Sequence, residues 1–317
     1  MQPVKSDYQT DQCVEGTVMA LGNFDGIHRG HRVIIEETAR QAAARGVMSS
    51  VLLLNPHPMQ FFKKVPGPFL LSTIGDKRAI FKALGIECVF IEDFNEAFAS
   101  LSPESFVREY LVRKYRVAGV VAGFNYTFGR RGEGKTRHLQ ELGRREGFTV
   151  TVREAVSIQG EIVSSSLIRS RIAQGRMEEA ELYLGYPYHI PGVVIPGSRL
   201  GRTLGFPTAN LQVDPHIMLP QKGVYLSSVR RRQKSYYALA NVGFKPTVAG
   251  RHLSVEVHLL NFSGNIYGEE LIVSFLYRMR NERAFKNTEE LKEQIVRDIM
   301  EGKELIKDKY GESGTIE

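Results

Sequence analysis

Cysteine is almost absent from these 317 residues: Cys13 and Cys88 are the only two, and they stand far apart. A disulfide framework and a C-x-x-C metal site are thereby excluded, and a reducing cytoplasm is the expected compartment. Long apolar runs are missing too. None approaches the roughly 20 residues that span a bilayer, and the opening stretch MQPVKSDYQTDQCVEG lacks the apolar core of a signal peptide. No membrane is expected as a partner, and the sequons NYT and NFS are expected to be fortuitous. Repeats and low-complexity tracts are absent as well. What remains is an ordinary globular chain, 42% hydrophobic with a net charge of +7, long enough for about two domains. Its basic balance suits nucleic acid or phosphorylated small molecules equally. The densest basic run, Arg230, Arg231, Arg232 and Lys234, falls between two strand-like segments. It reads as a solvated hairpin tip, so no nucleic acid is expected as a partner.

The two halves have different rhythms. In the first, apolar runs at 16–21, 49–55, 87–93, 118–123 and 148–154 alternate with helical patterns near 30–45, 73–85, 103–115 and 135–147. This predicts an α/β domain, a parallel sheet covered on both faces, with ligands at the carboxyl ends of the strands. SSSLIRSRIAQGRMEEAELYLG (164–185) reads as two short helices, and YPYHIPG then breaks the pattern. A boundary is expected near 186, giving domains 1–185 and 186–317. The second half follows a β rhythm and ends in a helix from about 287 to 310, which predicts an antiparallel β-barrel with a C-terminal helix. In LSVEVHLL, alternation puts Leu253, Val255, Val257 and Leu259 on one face, with Ser254, Glu256 and His258 on the other.

LGNFDGIHRGH (21–31) directly follows the first predicted strand and enters a helix. Glycines let backbone amides approach an oxyanion, and a helix start adds free N–H groups and partial positive charge. His28 and His31, three apart, can share a helix face and stabilise charge that builds up on a phosphorus centre during displacement. Metal ligation by Asp25, His28 and His31, or a purely structural turn, are the competing readings. GRRGEGKT (129–136) fits Walker A spacing, but FNYTF intervenes between strand and loop, so a working P-loop is not expected.

With these residues in view, GNFDGIHRGH resembles the FAD synthetase branch of the nucleotidylyltransferases. LNPHPMQFF (54–62), AGFNYTFGRRGEG (122–134) and VSSSLIRSRI (163–172) are similar to further segments of that branch, in the same order. The resemblance implies that Gly22, Phe24, Asp25, Gly26, Gly30, Ser164, Ser165, Ser166 and Arg169 bind ATP and its phosphates. It also implies flavin contacts from Asn125 and Phe128.

GSRLGRTLGFPTANL (197–211) carries the second signal. PTAN sets Thr208 and Asn210 on one side of an extended segment, two hard oxygen donors of the kind magnesium accepts. This string resembles the riboflavin kinase family, as do KGVYLSSV, ANVGFKPTV and the stretch 254–285. The resemblance implies Mg2+ at Thr208 and Asn210, Glu256 as general base, Gly201 and Arg202 at the nucleotide, and Arg280 at the flavin or its phosphate. Tyr186, Pro196 and Leu200 depart from the family's usual residues. Over residues 14–310 the chain is similar to the bacterial bifunctional riboflavin kinase/FAD synthetases. That implies riboflavin, FMN, FAD, ATP, ADP and pyrophosphate as partners. Two rivals are another nucleotidylyltransferase with an inert barrel and a flavin-sensing RNA-binding regulator.

Overall fold

The computed structural model describes residues 16–62, 67–197, 200–247 and 250–310. Cys13 and the opening stretch lie outside them, as do Ser198 and Arg199 of the glycine-rich loop. The chain divides into two compact units, Met1–Ser165 and Ser166–Glu317.

The alternating half becomes a parallel sheet. Its strands are β1 (Thr17–Leu21), β2 (Met48–Asn55), β3 (Cys88–Asp93), β4 (Val117–Gly123) and β5 (Thr149–Arg153), in the order β3-β2-β1-β4-β5. Helices α1 (Arg29–Arg45), α2 (Ile74–Ala83), α3 (103–114) and α4 (Thr136–Glu146) connect them, and α3 winds as a π-helix from Phe106 to Lys114. Both faces are covered, which is why β1 is buried throughout and, after Thr17, reads as a continuous apolar run. One core lies around Phe90, Phe98, Phe106 and Leu111, the other around Phe24, Ile35, Val51 and Phe81. The chain leaves β1 toward β2 on one side, while β4 lies on the other. The β1–α1 loop therefore opens at the switch point of the sheet, where such folds bind ligands.

The second unit begins with the helix pair α5 (Ser165–Ala173, its first residue in the first unit) and α6 (Met177–Leu184). Next come β6 (His189–Ile195), β7 (Ala209–Val213), β8 (Gly223–Arg231), β9 (Lys234–Thr247), β10 (Gly250–Leu259) and β11 (Glu270–Arg280). These strands close a barrel in the order β6-β7-β10-β9-β8-β11. Helix α7 (Thr288–Tyr310) follows, and its Ile306 joins Leu226, Leu239 and Leu276 in an apolar cluster. The alternation expected in LSVEVHLL holds for Val255, Val257 and Leu259, which are buried. Leu253, near the strand's start, is instead 38% exposed. The basic run forms the β8–β9 hairpin tip, where Arg231 pairs bidentately with Glu269 at 2.8 Å.

Candidate functional sites

In the first unit, three residues of the β1–α1 loop take left-handed backbone angles: Phe24 (φ 45°), Gly26 (φ 81°) and Ile27 (φ 30°). Phe24 is fully buried and meets His31 and Phe81 edge-on. Gly22 leaves room for the Phe24 ring, which an added Cβ would meet at 3.1 Å. His28 caps α1, its Nδ1 accepting the His31 N–H at 3.2 Å. With Nδ1 an acceptor, the proton of the neutral ring sits on Nε2, a donor. The His28 and His31 rings stack 3.6 Å apart. Gly30 is what permits this, since a Cβ there would lie 3.2 Å from the His28 ring. The Ser165 hydroxyl, at the start of α5, donates to the Asp25 carbonyl at 2.8 Å. Ser164 precedes that helix, and Ser166 and Arg169 lie on its first turns.

Asp25 is 1% exposed, and its carboxylate accepts the Leu71 N–H at 3.0 Å. The side chain thus points behind the loop. Among the described residues no group of three His, Cys, Asp or Glu side chains is set to hold a metal.

Beside this loop lies a cavity of about 560 Å3, lined by Gly22, Leu54, Phe62, Phe98, Tyr126 and Phe128 among others. Tyr126 and Phe128 stack with centroids 5.9 Å apart. Asn125 is exposed on the preceding turn. The Walker-like string forms the turn and second strand of a small hairpin, Thr127–Phe128 with Gly134–Lys135, and this hairpin separates the buried strand β4 from α4. Its glycines serve packing: a Cβ on Gly134 would strike the Phe128 ring at 2.7 Å, and one on Gly129 would strike Pro103 at 2.8 Å.

In the barrel, adjacent strands align three polar residues. Asn210 on β7 is opposite Glu256 on β10, and Glu256 is opposite Asn241 on β9. Val255 and Val257 face the interior at 0% exposure, which turns half-buried Glu256 to the other side. A cavity of about 270 Å3 is lined by Thr208, Asn241, Glu256, His258, Arg280 and Asp298 among others. A second, about 460 Å3, is lined by Arg202, Thr208, Asn210 and the turn 262–267. Thr208 borders both. Gly197 and Gly201 close on this segment, since Cβ atoms there would lie 2.0 Å from Asn210 Nδ2 and 2.5 Å from the Phe206 carbonyl. His258 Nδ1 lies 2.9 Å from the Pro207 carbonyl and pins the approach to Thr208. Arg280 is held bidentately by buried Asp298 of α7, at 2.8 and 2.6 Å.

The FAD synthetase family matches residues 10–167, and the riboflavin kinase family matches residues 184–306. A protein of Listeria monocytogenes named bifunctional riboflavin kinase/FMN adenylyltransferase is 37% identical over 93% of both chains. This chain belongs to the bifunctional riboflavin kinase/FMN adenylyltransferase family. Proteins of the same name from Bacillus subtilis and Escherichia coli K12 are 36% and 35% identical, over 90% and 92% of this chain and 91% and 93% of theirs. A crystal structure described as a macrolide-efflux protein from Streptococcus pneumoniae superposes with a TM-score of 0.81 at 30% identity, covering 93% of this chain and 94% of that one. Among the described residues no helix is long and apolar enough to cross a membrane.

The two families meet at different places from the compact units, leaving residues 168–183, most of α5 and α6, to neither match. Asn241, His258, Asp298 and the aromatic residues Phe62, Phe98 and Tyr126 line these cavities without having stood out in the sequence as candidates. His258 carried a signal, two positions after Glu256 on the same face. Asp298 carried none, because only tertiary folding brings it to Arg280.

Proposed function

We propose that this chain transfers the γ-phosphoryl group of ATP to riboflavin in its barrel, giving FMN and ADP. Its α/β unit then transfers AMP from a second ATP to FMN, giving FAD and pyrophosphate. The observation that carries the reading is Thr208, which borders one cavity holding Glu256 and another holding Asn210. Hydroxyl substrate and nucleotide can thus meet across one residue.

Glu256 takes the proton of the ribityl hydroxyl as that oxygen attacks the γ-phosphorus, and the bond to the ADP oxygen breaks. Thr208 and Asn210 supply two neutral, hard oxygens, which suits Mg2+ because it keeps waters and phosphate oxygens as its other ligands. Bound there, Mg2+ would neutralise charge on the transferring phosphate. Gly201 and Arg202 lie against the nucleotide, and Arg280, fixed by Asp298, orients the flavin side.

In the α/β unit the FMN phosphate is already a nucleophile, so the task is positioning and charge neutralisation. Gly22, Phe24, Gly26 and Gly30 shape backbone that admits the triphosphate at the α1 start. His28 Nε2 and His31 stabilise the α-phosphorus transition state. The family resemblance assigns Ser164, Ser165, Ser166 and Arg169 to the ATP phosphates, where an arginine can bind phosphate oxygens in pairs. Phe128, with Tyr126 and Phe62, offers stacking surface to the isoalloxazine. Asn125, exposed on the turn before Tyr126, is the polar contact to the flavin in this reading. The functional domains are residues 1–185 and 186–317, and the compartment is the cytoplasm.

The test is a time course with riboflavin, ATP and Mg2+, resolving riboflavin, FMN and FAD chromatographically. FMN is expected to rise before FAD. Absence of both products, starting from either riboflavin or FMN, would refute the reading. Glu256→Gln is expected to stop riboflavin phosphorylation while FMN adenylylation continues; retained kinase activity would remove Glu256 as base. His28→Ala is expected to slow FAD formation about 10²-fold or more while FMN formation continues. An equal fall in both activities of the folded variant would contradict separate sites.

A further inference from the structure

Lys77 is a buried lysine, 7% exposed, that neither proposed reaction uses. It lies on α2, and its side chain runs under the β1–α1 loop. Nζ donates to the Asn23 carbonyl at 3.4 Å and stands 4.0 Å from the Asp25 carboxylate. That carboxylate also accepts the Leu71 N–H, and the Gly26 N–H donates to Ser72 Oγ at 3.1 Å. The segment 71–77 thus grips residues 23–26 from below at successive points.

The loop requires such a grip. Phe24 and Ile27 carry side chains yet occupy the left-handed region, which persists only where the surroundings impose it. One residue past Ile27 comes His28, whose ring orientation follows from where the loop delivers its backbone to the α1 cap. A carboxylate facing the triphosphate would repel it. Turned beneath the loop and matched with an ammonium, Asp25 adds little net charge to the site.

We propose that Asp25 and Lys77 form a buried strut that holds the β1–α1 loop in its left-handed conformation and so places His28 for adenylyl transfer. Both are positioning residues, and neither binds phosphate through its side chain. The inference rests on the adenylylation reading, and it replaces the expectation that Asp25 contacts ATP.

Lys77→Met, Asp25→Asn and the double variant of the full chain test it. The readouts are kcat and KM for ATP in FAD formation from FMN, riboflavin phosphorylation as the control for folding, and the imidazole Cε1–H resonances of His28 and His31. Each single change is expected to lower kcat about tenfold or more with KM for ATP held within about threefold. The double variant is expected to be no slower than the slower single one, because it leaves no buried charge uncompensated. The His28 resonance should move in every variant, while riboflavin phosphorylation stays unchanged. A raised KM for ATP at unchanged kcat would make these residues ligands and overturn the strut. So would a double loss equal to the product of the single ones, or a stationary His28 resonance. If the unaltered protein makes no FAD, the adenylylation reading falls, and the His28 resonance decides the strut alone. Should a single charge change prevent folding, the charge-balanced double variant and Ser72→Ala carry the test. Ser72→Ala removes one grip without altering charge and should shift the resonance and kcat in the same direction.

Discussion

At Gly30 the first turn of α1 and the ring of His28 compete for one volume, and glycine leaves it to the ring. Alanine at a helical position is worth up to about 1 kcal/mol more than glycine. Gly30→Ala is therefore expected to unfold at no lower temperature than the parent. Its added Cβ must push the imidazole by a few tenths of an ångström, so FAD formation is expected to slow several-fold. A raised melting temperature with unchanged turnover would show that the ring's position is immaterial. Candidate residues stood out in the sequence where local chemistry marked them. The histidine pair beside glycines and the carboxylate in an alternating strand needed no long-range knowledge. Lys77 and Asp298 were not legible. Each sits in a helical pattern as an ordinary charged residue, and burial appears only when a distant loop or strand closes over it.

Among elements, α1 is tied to the sheet as well as to the site. Glu37 accepts from Arg40 at 2.7 and 2.9 Å and from Gln41 at 2.7 Å, and Gln41 reaches Thr151 of β5 at 2.8 Å. The Arg40 hydrogen bond, helped by Gln41, lowers the Glu37 carboxyl from 4.5 to about 2. A depressed carboxyl stabilises the fold above its unfolded value and loses that contribution as pH falls through the folded value. Comparing Glu37→Gln with the parent by denaturant unfolding should give the largest gap at neutral pH. The gap should shrink between pH 4.5 and about 2. A gap constant across that window would mean the carboxylate is not held by Arg40. Elements were legible wherever the apolar pattern decided them, as continuous runs for the parallel strands and helical spacing for α7. The winding of α3 was not, because a π-turn shifts hydrogen bonds without altering composition. The aromatic cavity was hidden for a related reason: a phenylalanine lining a cavity and one filling a core have the same period.

At the scale of the molecule, the proposed order of chemistry runs against the order of the chain, since the barrel makes the FMN that the α/β unit consumes. Adding excess isotopically labelled FMN during turnover of unlabelled riboflavin should put the label into FAD in proportion to its share of the pool. FAD that stays unlabelled would demand direct transfer. The change of rhythm near 186 made two domains legible, whereas the allegiance of α5 and α6 was not. Short helices between two folds carry no periodic sign of which core they join. The alignment of Asn210, Glu256 and Asn241 across three strands has a consequence for how this chain can be lengthened. A single residue inserted in β10 before Glu256 would swing that carboxylate into the apolar interior and bring a valine out in its place. The tip at Arg232 and Gln233, beyond the last paired residues of its hairpin, imposes no such parity. Tags and grafted peptides belong there, where added length leaves every side chain of the barrel facing its present direction.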